Sequence, residues 1–130
     1  MSSADLVNWA DHGIYTIAGQ DGVAKWAGNS WAPTAAHKNI NGVEKFFLYF
    51  ANNANGIAVV IANSPTGPWT DPLGRPLISR STKNCNVEWL FDPAVFIDND
   101  ELDIFILEEG YHLEDKQILT QFVLLNLDMI

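Results

Sequence analysis

Residues 46–62 read FFLYFANNANGIAVVIA, two short apolar runs separated by small and amide residues. The runs at 46–51 and 57–62 are rich in aromatic or β-branched side chains, which is typical of strands. The Asn- and Gly-rich segment between them tolerates the positive φ angles of a tight turn. We therefore predict a β-hairpin here, because the runs are too short and too closely bounded by turn residues for buried helices.

The strand pattern continues on both sides of this hairpin. Upstream, Asn41-Gly42 is a two-residue turn signal that places a preceding strand around residues 35–37. Downstream, apolar runs at 93–97 and 102–107 flank an acidic turn, and a further strand is expected within Ile118–Leu127. The sequence thus predicts an all-β protein.

An internal repeat relates the first part of the chain to the second. Trp9 and Trp69 are 60 positions apart, as are Pro33 and Pro93. A Ser lies five or six positions before each Trp and an Asp two positions after it, while an aromatic residue lies two positions before each Pro. Two separate landmarks with one spacing indicate a repeated structural unit.

Meandering strands in repeated units, each ending in a Trp-containing loop, are typical of β-propeller blades, which bury each sheet face against the next blade. We therefore predict a β-propeller fragment of about two to three blades. The end of the first blade is expected at residues 1–20, the second blade at 31–80 and the third at 88–130. A repeat of 60 residues is long for a blade, which implies insertions.

The charge of the chain restricts its partners. Seven basic and sixteen acidic residues give a formal net charge of −9, which repels phosphate backbones and anionic lipid surfaces. No stretch approaches the roughly 18 apolar residues that span a bilayer, and the start of the chain lacks a secretion signal. We therefore expect neither nucleic acid nor a membrane as partner. Localisation stays open, because a chain that begins within a domain would have lost its signal.

Metal and cofactor sites are not expected. Cys85 is the single cysteine, so no internal disulfide can form, and with three scattered His residues it makes no metal-ligand spacing. His37 follows a strand-like stretch and is expected in the core or at the surface, with a channel lining as the alternative. We predict no metal and no cofactor.

Four segments occur in a definite order: SSADLVNW at 2–9, WAP at 31–33, SPTGPW at 64–69 and FDPAVFIDND at 91–100. This ordered set resembles glycoside hydrolase family 43, of the arabinofuranosidase and β-xylosidase type, over about residues 2–100. The ending LNLDMI at 125–130 is similar to a stretch that, in arabinofuranosidase-like members, precedes the blade with the catalytic acid.

The resemblance implies a five-bladed propeller whose central pocket holds three carboxylates. An Asp acts as the base that activates water, a Glu as the acid that protonates the leaving sugar, and a second Asp tunes and orients that acid. An inverting hydrolase needs roughly 6.5–9.5 Å between acid and base to admit water. Like charges and burial separate the pKa values, so that one group stays protonated. The implied substrates carry terminal α-L-arabinofuranosyl or β-D-xylosyl units, as in arabinoxylan and xylan.

Within this chain the resemblance assigns only one of these carboxylates. Asp92 matches the Asp that tunes the acid, whereas the base is expected before Ser2 and the acid after Ile130. Glu108-Glu109 is a poor alternative for the acid, because it lies in the same unit as Asp92. Residues 108–121 depart from the family pattern.

The residues themselves leave two interpretations of Asp92 open. It interrupts an apolar run, so it either faces a pocket or caps a backbone amide in an Asp-Pro turn. The resemblance favours the pocket. Trp31, Phe91 and Trp89 are candidate platforms for a sugar ring, with blade-to-blade core packing as the alternative. Trp9 and the Trp of the SPTGPW segment are expected to close outer loops.

Three functions therefore remain to be compared. The first is part of a glycoside hydrolase that is inactive alone because its base and acid are missing. The second is a carbohydrate-binding module without catalysis, and the third is a truncated product without a function. A truncated product with little more than two units would leave open sheet edges, which favour self-association.

Overall fold

The structure, a computed structural model, describes residues 1–83, 85, 87–97, 103–108 and 120–125. The strands are β1 (Trp31–Ile40), β2 (Val43–Ala51), β3 (Gly56–Ala62), β4 (Ile78–Ser79), β5 (Phe91–Ile97), β6 (Asp103–Glu108) and β7 (Thr120–Leu125). None of the described residues lies in a helix, which confirms the all-β prediction for this part of the chain. In the same residues there is accordingly no helix long and apolar enough to cross a membrane.

The predicted hairpin is the centre of the first sheet. The strands lie in the order β1-β2-β3-β4, and β2 pairs with β3 antiparallel from Phe46–Ala62 to Ala51–Ile57. The preceding strand β1 joins β2 through Asn41 and Gly42, whose φ angles of 52° and 82° are those of a primed hairpin turn. Both predictions for this region are confirmed.

Strand β3 and the second half of β2 are buried on both faces of the first sheet, which explains why their apolar runs are continuous rather than alternating, whereas most of β1 is exposed. One face contributes Tyr49, Ile57 and Val59 to a core cluster, and the other contributes Phe50 and Val60 to a second cluster. The first cluster continues into the segment that leads to β5, and the second into the segment before β1. The sheet therefore lies between two other parts of the chain, as a propeller blade does.

The second sheet repeats the antiparallel meander of the first in the order β5-β6-β7. Strand β5 contains the apolar run predicted at 93–97, β6 is shifted by one residue from the run predicted at 102–107, and β7 lies within Ile118–Leu127. The predicted acidic turn at 98–101 lies outside the described residues. Strand β5 contacts β1, so the first strands of the two sheets are neighbours.

The two Trp-containing loops are closed by backbone pairs directly after each Trp. Ser2 and Ala10 exchange hydrogen bonds of 2.9 and 2.8 Å, and Ile61 and Thr70 exchange two of 2.8 Å. Trp9 itself is 54% exposed. The pairing of the backbone, rather than packing of this indole, therefore closes the first loop.

The second loop is held by its side chains as well. Its Trp69 packs against the second core cluster, and Asp71 accepts a hydrogen bond of 2.8 Å from the indole Nε1 of Trp26. The carboxylate of Asp71 also accepts the N–H groups of Leu73 and Gly74. This loop therefore ties the outer part of β3 to the segment before β1.

Candidate functional site

The first strand of each sheet begins with a β-bulge at the same point of the repeat. Trp31 pairs with Ala51 and Thr34 with Tyr49, so β1 has one residue more than its partner over this interval. Phe91 pairs with Glu108 and the ladder resumes at Ala94, which gives β5 the same insertion. A bulge bends the strand and re-aims a side chain, and bulges are frequent beside active sites.

The bulges contain Ala32 and Asp92, each followed by a proline. Both residues are exposed and have positive φ angles, 42° for Ala32 and 51° for Asp92. The left-handed conformation is costly for residues other than glycine, less so for Asp than for Ala. Residues held in sparsely populated backbone conformations cluster at functional sites. The repeat seen in the sequence thus extends to backbone conformation.

The exposure of Asp92 bears on the two interpretations of this residue. Within the described parts of the chain, its carboxylate accepts no hydrogen bond from a backbone amide. The capping role is therefore not observed there, and the charge needs no buried partner because the residue is exposed at the start of β5.

Three aromatic side chains accompany these bulges. Trp31 and Trp89 are 50% and 42% exposed, respectively, while Phe91 is half-buried and packs partly against the first core cluster. The rings of Trp89 and Phe91 lie with centroids 6.0 Å apart and tilted by 33°. The two exposed indoles can present a face to a sugar, whereas Phe91 combines a core role with a partly open surface.

Two surface cavities lie elsewhere. One of about 240 Å³ is lined by Lys45, Asn63 and Thr70 among others, and one of about 150 Å³ by Ser2, His12 and other residues. Neither is lined by the aromatic residues or the carboxylate at the bulges. These two cavities are therefore separate from the aromatic residues and the carboxylate at the bulges.

His37 lies on the surface of β1 rather than in the core. Its Nδ1 is 2.5 Å from Oε1 of Glu44, and the two side chains are 70% and 42% exposed. The hydrogen bond from His37 lowers the pKa of the Glu44 carboxyl below its usual value. This pair belongs to the solvated side of the β1–β2 hairpin.

Asp5 organises the loop that carries the first family-like segment. The backbone N–H of Asn8 donates to its carboxylate at 2.8 Å, and the side chain of Asn8, the N–H of Val7 and the hydroxyl of Ser3 donate to it as well. These bonds hold the pKa of Asp5 well below its usual value, since they stabilise the charged form. Asp5 is thus a structural carboxylate.

Sequence reasoning missed the contacts of the turn between β2 and β3. Oδ1 of Asn52 accepts the N–H groups of Gly28 and Asn29, and the carbonyl of Ala54 accepts the N–H of Leu90. These partners lie just before the bulges of β1 and β5. The Asn-rich composition indicated a turn, but no local signal identified its distant partners.

The strain at the first bulge predicts an unusual response to glycine. Ala32→Gly should leave the free energy of unfolding unchanged or raise it by up to about 1 kcal/mol, because glycine removes the left-handed penalty. Ala35→Gly, at an exposed site within the extended part of β1, should lower it by about 0.5–1 kcal/mol. Urea denaturation of both variants measures this difference, and equal losses would show that Ala32 is not strained.

Comparisons with known proteins agree with this geometry. The sequence model of the family described as glycosyl hydrolases family 43 matches residues 1–125. The chain is 59% identical over 107 residues to the arabinoxylan arabinofuranohydrolase of Bacillus subtilis (strain 168), a match that covers 77% of this chain and 21% of that protein. It therefore spans about a fifth of the length of this curated relative.

Solved structures give the same result. A glycoside hydrolase family 43 arabinoxylan arabinofuranohydrolase from Bacillus subtilis, in complex with cellotetraose, superposes with a TM-score of 0.86 at 46% identity and covers 98% of this chain and 29% of that one. An α-L-arabinofuranosidase from Clostridium thermocellum ATCC 27405 gives a TM-score of 0.62 at 35% identity, over 93% of this chain and 42% of that one. The two-sheet arrangement is therefore a fragment of the propeller fold of these enzymes.

Proposed function

Because the chain belongs to glycosyl hydrolases family 43, we propose that it forms part of a hydrolase that releases α-L-arabinofuranosyl units from arabinoxylan. The observation that carries this proposal is the carboxylate of Asp92, exposed on a strained bulge beside a pair of aromatic rings. The names of the relatives favour arabinofuranosyl over xylosyl units as the group released.

Asp92 is assigned the role of the carboxylate that tunes the catalytic acid. In an inverting reaction, a base removes a proton from water as its oxygen attacks the anomeric carbon, and an acid protonates the departing oxygen. A negative charge near the acid raises its pKa and keeps it protonated at the pH at which the base is ionised. Asp92 supplies this charge, while the family resemblance assigns the base and the acid to other blades.

Trp31, Phe91 and Trp89 are assigned to the binding of the sugar. A pentose ring has C–H groups that pack on the face of an aromatic side chain, and the ligand has no net charge that the acidic chain would repel. Trp31 lies at the start of β1, which contacts the strand that carries Asp92. Arabinoxylan-derived oligosaccharides are therefore the proposed ligands.

A hybrid enzyme provides a direct test of this proposal. In it, this chain replaces the matching fifth of the Bacillus subtilis arabinoxylan arabinofuranohydrolase, to which it is 59% identical over the aligned residues. The hybrid should release arabinose from arabinoxylan at a rate within about tenfold of the parent enzyme, since the chemistry at the reacting atoms is retained. The 130-residue polypeptide alone should release no nitrophenol from the arabinofuranoside or the xyloside.

The outcomes separate the alternatives. A hybrid that has the circular dichroism spectrum and thermal transition of the parent, but releases no arabinose, would contradict the proposed function. Nitrophenol release by the 130-residue polypeptide, abolished in the variant Asp92→Asn, would show that these residues are catalytically sufficient. An arabinose assay measures the first result, and a chromogenic nitrophenol assay measures the second.

Carbohydrate binding without catalysis is the second candidate function, because the two exposed indoles do not depend on the other carboxylates. Calorimetric titration of the polypeptide with arabinoxylan oligosaccharides separates it from the first. Heat of binding without hydrolysis would support this candidate, and absence of heat in both the polypeptide and the hybrid would argue against both.

A further inference from the structure

The turn between β2 and β3, residues 52–55, contacts the approach to both bulged strands. On one side it binds residues 28–29, which precede Trp31 by two or three positions. On the other side it binds Leu90, two positions before Asp92. One turn therefore lies between the two parts of the proposed sugar site.

The contact with the β1 side is made by asparagine side chains. Oδ1 of Asn52 accepts the N–H of Gly28 at 2.9 Å and that of Asn29 at 3.3 Å. The side-chain Nδ2 of Asn29 donates to Oδ1 of Asn53 at 2.6 Å, and Asn53 has a positive φ of 52°, which asparagine tolerates better than most residues. Three hydrogen bonds thus fix the chain just before Trp31.

The contact with the β5 side is made by the backbone. The N–H of Leu90 donates to the carbonyl of Ala54 at 3.1 Å, and Asn55 forms a parallel bridge with Leu90. The side chain of Leu90 is fully buried in the first core cluster. Packing and hydrogen bonding therefore hold the residue directly before the second bulge.

The turn is internally bonded, which links its two sides. The N–H of Asn52 donates to the carbonyl of Gly56 at 2.9 Å, and the N–H of Asn55 donates to the carbonyl of Asn52 at 3.3 Å. Asn52 thus takes part in the turn through its backbone and in the β1 contact through its side chain. Loss of the side-chain contact should loosen the carbonyl of Ala54 as well.

We propose that the turn 52–55 is a positioning element that sets the location of Trp31 relative to Asp92, with Asn52 as the positioning residue. The inference rests on the proposed function, because it presumes that both residues face one sugar. Asn52 acts through the two bulges, and it is assigned no contact with substrate. The consequence is that a change at Asn52 is felt at Leu90, a residue to which its side chain is not bonded.

Amide hydrogen exchange measures this coupling in the 130-residue polypeptide without any ligand. Asn52→Ala should accelerate exchange of Gly28 and Leu90 by about tenfold, which corresponds to the loss of about one net hydrogen bond at each site. Exchange within the β2–β3 ladder should change by less than about twofold. Asn52→Asp keeps an acceptor oxygen in the same place and should restore the slow exchange at both amides.

Asn63→Ala is the matched control. Asn63 is an exposed asparagine whose Oδ1 accepts only the Nζ of Lys45, at 2.7 Å, among the contacts of the described residues. Its replacement should leave Gly28 and Leu90 unchanged. Faster exchange at Gly28 without any change at Leu90 in Asn52→Ala would overturn the proposal, since the two contacts would then be independent.

A milder variant covers the case in which Asn52→Ala fails to fold. Asn29→Ala removes the hydrogen bond from Nδ2 of Asn29 to Asn53. It retains the bonds that Oδ1 of Asn52 accepts from the backbone N–H groups of residues 28 and 29. It should accelerate exchange of Leu90 by about threefold, and an unchanged rate at Leu90 would also overturn the proposal.

The hybrid enzyme tests the functional part. There, Asn52→Ala should lower kcat by about tenfold and change KM by less than about threefold, because misplacement of catalytic groups affects the transition state more than binding. Asn52→Asp should recover the rate. A normal kcat in Asn52→Ala despite coupled exchange would reject the positioning role while leaving the proposed function intact. An inactive but folded hybrid with coupled exchange would contradict the proposed function alone.

Discussion

Asp92→Asn in the hybrid enzyme is expected to lower kcat for arabinose release by about 10²- to 10⁴-fold, the range that general acid catalysis contributes. The amide retains the size of the side chain and removes its negative charge. Without that charge the pKa of the catalytic acid falls, so the acid is deprotonated at the pH at which the base is ready. The alkaline limb of the pH–rate profile should therefore move to lower pH in the variant.

The choice of substrate sharpens this measurement. An aryl arabinofuranoside with a good leaving group needs little protonation by an acid. The decrease in kcat caused by Asp92→Asn should therefore be much smaller for this substrate than for arabinoxylan. Asp11→Asn is the control, because Asp11 is an exposed carboxylate whose Oδ1 accepts the N–H of Gly13. Equal rates in the Asp92 and Asp11 variants on both substrates would remove Asp92 from the mechanism.

Leu90→Ala should have the largest effect on stability, with a loss of about 2–5 kcal/mol in the free energy of unfolding. Its side chain is fully buried in the cluster that joins the first sheet to the segment before β5. Truncation removes the transfer free energy of the side chain and leaves a cavity that its neighbours fill only in part. Denaturant unfolding of the polypeptide, followed by far-ultraviolet circular dichroism, measures the change.

Val43→Ala provides the comparison for this prediction. Val43 is 46% exposed at the start of β2, so its truncation should alter the free energy of unfolding by no more than about 0.5 kcal/mol. A loss below about 1 kcal/mol for Leu90→Ala would show that the two sheets are not joined through this residue.

The elements with strong local signals were predictable from the sequence. The hairpin at 46–62 followed from length, composition and turn residues, and the turn at Asn41-Gly42 from the φ preference of these two residues. Strand β4 was not predicted, because the two residues Ile78–Ser79 have no periodicity to detect. Their pairing with β3 depends on tertiary contacts.

The candidate site was predictable only in part. The spacing of the prolines indicated equivalent positions in the two units, but alanine gives no signal for the positive φ at Ala32. For Asp92 the sequence left capping and a pocket equally open, and the exposure of its side chain became known only from the structure. The partners of Asn52 are more than 20 positions away, so no local pattern contains them. The blade boundaries and the roles of Trp31, Phe91 and Trp89 remain predictions.

The two-sided burial of β3 and of the second half of β2 has a consequence for how this part of the propeller can vary. A polar replacement on either face of β3 or of the second half of β2 would be desolvated, so these positions tolerate little chemical change. In the proposed hydrolase, changes in sugar selectivity are therefore expected at the exposed starts of β1 and β5 and in the loops. The buried positions are expected to keep their apolar side chains, while the exposed strand starts and loops can change in polarity and charge.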